Sequence, residues 1–142
     1  MPAERHHHPI ESDSADRWHT YELVSGVPDI REVRRWVRTV LANLTEGDLL
    51  DVLLVISELA SNVFDHAAFP ARLKVRKSED PCVVGIVAED ASPALPQLRT
   101  GSPGSTRGRG LVMVNRLAQQ WGFARREAGK SVWAVLPCAT VT

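Results

Sequence analysis

Neither sign of charge is in excess: seventeen Lys and Arg stand against seventeen Asp and Glu, for a formal net charge of zero. A balanced chain carries no bulk field that would draw it onto nucleic acid or an anionic membrane, so direct binding of either is not expected. Cysteine is scarce. Cys82 and Cys138 are the only two, and they lack a CxxC or Cys/His ligand spacing, so they read as two buried core thiols in a reducing compartment. No apolar run is long enough to span a bilayer, because the most apolar helical segment, Leu49 to Ile56, is short and broken by Asp51. The polar start, Met1 to Asp16, has no apolar core of the signal-peptide kind, and the expected location is cytoplasmic. His6, His7 and His8 lie in that polar leader and are read as a solvated tail with no function.

Several chemical signatures are missing too. There is no GxxxxGK[ST], and Gly108-x-Gly110 lacks a third glycine because Met113 holds its place. A Walker NTPase and a Rossmann dehydrogenase are therefore disfavoured. HExxH and GxSxG do not occur either, which disfavours the zinc peptidases and hydrolases that use them.

What is present is a regular alternation of element signals. Trp18 to Val24 alternates as a strand and is closed by Gly26 and Pro28. Ile30, Val33, Trp36, Val37, Val40, Leu41 and Leu44 then recur at helical spacing, with Asp29 as N-cap. The opposite face carries Arg31, Arg34, Arg35 and Arg38, which is either a solvated stripe or a docking surface. Thr45 and Asp48 resemble a capping box, and Leu49 to Val63 continue a second helix to about Ala67. Ala71 to Arg76 alternates as a half-buried strand, and the continuous apolar run Cys82 to Ala88 reads as an interior one. Leu111 to Ala118 make a third helix, and Trp121 to Arg126 and Ser131 to Leu136 form a hairpin around Ala128-Gly129. The expected architecture is one domain over 17–142, an α/β two-layer sandwich with a mixed, mostly antiparallel sheet and the helices on one face. Residues 1–16 are a disordered leader in this reading. Residues 91–107, rich in Pro, Ser, Gly and Thr, are a lid.

Three pieces carry chemistry. Glu58, Asn62 and His66 are spaced four apart, so that Asn62 lies about 40° and His66 about 80° around the helix from Glu58. A carboxylate and an amide on an apolar helix need partners. Asn62 can offer its carbonyl oxygen to Mg²⁺, and Glu58 can polarise a hydroxyl attacking a terminal phosphate. The plainer alternative makes Glu58 an exposed helix residue and Asn62 a cap on a neighbouring loop. His66 either caps the helix end or reaches a phosphate oxygen. Asp90 sits just after the interior strand, where the chain leaves the sheet; it is either an acceptor for an adenine amine or part of a simple Asp-x-Ser-Pro turn. Gly108 and Gly110 open the third helix, where backbone N–H groups can approach a polyphosphate, although two glycines also occur there for steric reasons. Together the pieces suit a nucleoside triphosphate with its magnesium ion.

The same residues carry a family resemblance. Glu58-x-x-x-Asn62-x-x-x-His66, Asp90-x-Ser-Pro, Gly108-Arg109-Gly110-Leu111, Leu117-Ala118-x-x-Trp121-Gly122 and Gly129-Lys130-x-Val132-Trp133 occur in that order. The pattern resembles the anti-sigma-factor serine kinase-like ATP-binding domains of the GHKL superfamily, especially the short actinobacterial type. The resemblance covers about Trp18 to Pro137 and implies a Bergerat (histidine kinase-like ATPase) fold. It implies ATP and Mg²⁺ as cofactors, Asn62 as the metal ligand and Glu58 as the catalytic base. Asp90 is implied on adenine, His66 with the nucleotide, and Gly108, Arg109, Gly110 and Leu111 at the phosphates. The implied activity is phosphorylation of a serine on a STAS-domain anti-anti-sigma protein, with a sigma factor as the other partner and a homodimer as the assembly. The alternative is a non-catalytic, nucleotide-gated binding module. One departure stands out: Ser92 and Ala94 occupy positions where the superfamily's second box has glycines.

Overall fold

A computed structural model describes residues 17–24, 29–66, 69–92 and 109–139, with the backbone alone for residues 66, 109 and 110. The leader 1–16, and the lid residues from 93 to 107, lie outside the described residues. Among the described residues, five strands and three helices follow in the order β1 (His19–Leu23), α1 (Ile30–Val40), α2 (Glu46–His66), β2 (Ala71–Ser78), β3 (Val83–Asp90), α3 (Arg109–Leu117), β4 (Gln120–Arg126) and β5 (Gly129–Pro137). The sheet order is β1-β2-β3-β5-β4, and all four pairings are antiparallel. The expected two-layer α/β sandwich is found, with its sheet more uniformly antiparallel than a mixed one.

Local chemistry accounts for the elements. Asp29 caps α1 by accepting from the Glu32 N–H at 3.1 Å, and the Leu41 N–H closes the last turn on the Val37 carbonyl at 2.9 Å. The buried side of α1 is Val33 and Val37, while Arg31, Arg35 and Arg38 are exposed and Arg35 pairs with Glu32 one turn back. Thr45 Oγ1 accepts from the Asp48 N–H at 3.2 Å and starts α2. Val52, Leu53, Val55, Ile56, Leu59, Ala60 and Val63 of α2 are all buried, a wider apolar face than α1 needs, because α2 packs on α1, α3 and the sheet together.

Alternation along the strands divides the sheet into two faces. Leu73, Val75, Val84, Ile86, Ala88, Val132, Ala134 and Leu136 join the helices in the main core. The other face carries a small cluster of Val87, Trp133 and Val135, with Trp18 and Val83 against it. There the Arg76 guanidinium stacks 4.7 Å from the centre of the Trp18 ring. β3 is the middle strand and is buried from Val84 to Asp90, as its apolar run predicts.

The expectation of two free thiols is corrected. Cys82 and Cys138 form a disulfide with their Cα atoms 5.1 Å apart. The physical reason is register. Val83 pairs with Pro137 in the β3–β5 ladder, so the next residues outward face each other across the same two strands. The Cys138 N–H also donates to the Cys82 carbonyl at 3.1 Å. Linear spacing carries no trace of this pairing.

Candidate functional site

α2 carries the first group of candidate residues. Glu58 and Asn62 stand one turn apart on its C-terminal half and are both half-buried, between the core positions Leu59, Ala60 and Val63. Neither side chain makes a hydrogen bond with another described residue. The Glu58 carboxyl is pushed above its ordinary value of 4.5, first by burial and then by the negative charge of Asp65. A carboxylate that holds its proton more tightly is a stronger base toward an approaching hydroxyl. His66 is the last residue of α2, so its backbone lies at the helix end where the sequence places it.

Asp90 forms the second group. It is the last residue of β3, still inside the strand, and it shares the helix-facing side of the sheet with Val84, Ile86 and Ala88. Oδ1 of Asp90 accepts two hydrogen bonds, from the Ser92 N–H at 2.8 Å and from Lys130 Nζ at 3.0 Å. The first is the turn-forming contact that Asp-x-Ser suggests. The second joins two buried ions, with side chains 8% exposed for Lys130 and 6% for Asp90. Asp90 is thus both a turn residue and a buried acceptor. On the opposite face its neighbour Glu89 is ringed by cations, with Arg72 at 3.3 Å and Lys74 at 3.2 Å.

The third group opens α3. Arg109 and Gly110 are its first two residues and Leu111, the third, is buried; Gly108 lies outside the described residues. Asn115 Oδ1 accepts from Trp121 Nε1 at 2.9 Å and ties the exposed side of α3 to β4.

A cleft of about 150 Å³ opens beside Asp90, lined by Arg72, Glu89, Ala91, Arg126 and Ala128 among others. Glu58 and Asn62 do not line it. Its volume is below the roughly 300 to 1,000 Å³ of a ligand pocket, so it is too small to take a nucleotide.

One group suits an oxygen-loving cation. The Asn62 carbonyl has no competing partner among the described residues. Mg²⁺ needs only one or two protein oxygens when phosphates and waters supply the rest. Among the described residues, no cluster of three His, Cys, Asp or Glu side chains is placed to hold a metal ion.

The family model described as histidine kinase-like ATPase domain matches residues 25–136. The chain belongs to this family. Membership makes it an ATP-binding domain by descent, with the layered sheet and helices already described as its frame. Among solved structures it is similar to the RsbU and RsbW domains of Rv1364c from Mycobacterium tuberculosis, at 19% identity and a TM-score of 0.64. That similarity covers 89% of this chain but 35% of the other, so this family member spans about a third of that chain's length. At such identity the likeness speaks for the fold. No curated protein matches the chain. Among the described residues, no helix of this ATPase-family domain is long and apolar enough to cross a membrane.

Lys130 makes a contact that its place in the sequence does not show. It appears in the Gly129-Lys130-x-Val132-Trp133 signature but drew no role, because a lysine at the start of a strand ordinarily reaches solvent. The signal was Gly129. Its φ of +143° is open to glycine, and a Cβ there would collide with the Asp90 carbonyl oxygen and come within 2.8 Å of the Ala91 Cα.

Proposed function

We propose that this chain is an anti-sigma-factor-type protein-serine kinase that binds ATP with Mg²⁺ and phosphorylates a STAS-domain anti-anti-sigma partner in the cytoplasm. The observation that carries the reading is on α2, where Glu58, with raised proton affinity, stands one turn from an Asn62 free of described partners. Membership of the histidine kinase-like ATPase family and a fold shared with a chain bearing an RsbW domain support it.

In this reading Glu58 takes the proton of the partner's serine hydroxyl as its oxygen attacks the γ-phosphorus. The bond from that phosphorus to the β–γ bridging oxygen breaks, and ADP leaves. Asn62 would hold Mg²⁺ through its carbonyl oxygen, and the ion would supply neutralisation of charge on the phosphates. Asp90 accepts from the adenine amine, and Gly108, Arg109, Gly110 and Leu111 are the residues assigned to the phosphates, with His66 assigned beside them. A sigma factor is the competing partner, and the domain works as a homodimer.

A second reading has one observation in its favour. Ser92 stands where a glycine is expected, and its N–H is tied to Asp90. Such a turn has less backbone freedom, which suits a module that binds nucleotide without turnover.

Labelled ATP separates the two. Glu58→Ala is expected to abolish transfer to a STAS partner while leaving ATP affinity within about twofold of wild type. Asn62→Ala is expected to remove most of the Mg²⁺-dependent part of that affinity. ATP binding without transfer to any STAS protein decides for the module. The cytoplasmic setting is tested separately by alkylating thiols before lysis, since a reducing compartment works against the Cys82–Cys138 bond.

A further inference from the structure

Lys130 sits directly across from Asp90 in the β3–β5 register, with Nζ 3.0 Å from Oδ1. β5 enters closely at Gly129, where a side chain would strike the Asp90 backbone. An ammonium has three N–H donors. Only the one to Asp90 is used among the described residues, although the group is 8% exposed. Asp90 Oδ1 is filled twice, and Oδ2 has no partner among those residues. Burying an ion pair is favourable only when the leftover protons and lone pairs are also satisfied, and a pair of apolar residues would serve packing as well. An unfilled acceptor and unfilled donors therefore lie side by side at the end of the sheet where the base is placed.

We propose that Lys130 is a second base-reading residue: Asp90 Oδ2 accepts from the adenine exocyclic amine while Lys130 Nζ donates to the neighbouring ring nitrogen N1. This rests on the ATP-binding reading above and deepens it. The arrangement also selects against guanine. In the same pose guanine turns its O6 acceptor to the carboxylate and its N1–H donor to the ammonium, so both contacts become repulsive.

The test is calorimetric titration of the full-length chain with ATP, GTP and 1-deaza-ATP, in which C–H replaces N1. Wild type is expected to bind 1-deaza-ATP about tenfold more weakly than ATP, the size of one hydrogen bond to a charged group. In Lys130→Met, ATP affinity is expected to fall by about the same factor, and the difference between ATP and 1-deaza-ATP to vanish. Equal binding of the two nucleotides by wild type overturns the proposal. So does a Lys130→Met variant that weakens both by one common factor, since the lysine then only holds Asp90. Should that variant lack a cooperative unfolding transition, Lys130→Arg takes its place: an altered ratio of ATP to 1-deaza-ATP affinity upholds the proposal, and an unchanged ratio overturns it. A wild type that binds no ATP fails before any analogue is compared and removes the ATP-binding reading together with this one.

Discussion

The β3–β5 pairing ends in opposite ways at its two ends. At one, Cys82 and Cys138 face each other and are covalently joined, the Cys138 N–H donates to Cys82, and Asp48 at the start of α2 accepts from the Ala139 N–H at 2.8 Å. At the other, the facing residues are Asp90 and Lys130, joined by one ion pair with donors and an acceptor left over among the described residues. One antiparallel register makes both contacts. The contrast separates stability from recognition. The stapled end limits the freedom of the unfolded chain, whereas the ionic end has polar capacity that only a ligand or water can fill.

The sharpest way to break this contrast is Gly129→Ala. The added methyl group would run into Asp90 and also demand a φ that alanine avoids, so a loss of at least about 3 kcal/mol is expected in denaturant unfolding. A near-native midpoint would show that β5 need not approach Asp90 so closely.

Replacing both cysteines by serine tests the other end. For a bridge between residues 56 apart the expected loss is about 2 to 4 kcal/mol. ATP affinity should stay unchanged, and a parallel drop in affinity would mean that the two ends are not independent. Asp48→Ala, which removes the acceptor for Ala139, should cost about 1 kcal/mol on the same scale.

The smallest effect concerns pH. The folded-state pKa of Glu58 is raised, so its contribution to stability is full below the ordinary 4.5 and is lost as pH rises through the folded value. Glu58→Gln, which carries no proton to lose, should therefore be more stable than wild type at neutral pH. Stability profiles that run parallel from acid to neutral pH would contradict the burial of this carboxyl.

Much of this molecule is legible locally. The caps at Asp29 and Thr45, the buried series of α1 and α2 and the apolar run of β3 all lie where their patterns put them, whereas the hairpin expected around Ala128-Gly129 turns one residue earlier, with Gly129 already the first residue of β5. Short-range geometry governs each of them. Element limits shift by a few residues: β3 runs on to include Asp90, so that residue is a strand end rather than the start of a loop. Glu58 and Asn62 were legible as a helical pair because four residues make one turn. The role of Lys130 and the bonding of Cys82 were not.

By itself, the sequence determined which segments are helix or strand, which faces are apolar, and that an acid and an amide share one side of α2. Tertiary structure alone decided that Lys130 meets Asp90, 40 residues away, and that Cys138 meets Cys82 across 56. The reason is that hydrophobic period and capping are set within a few residues, whereas strand order and register are chosen by the packing of the whole sheet against its helices.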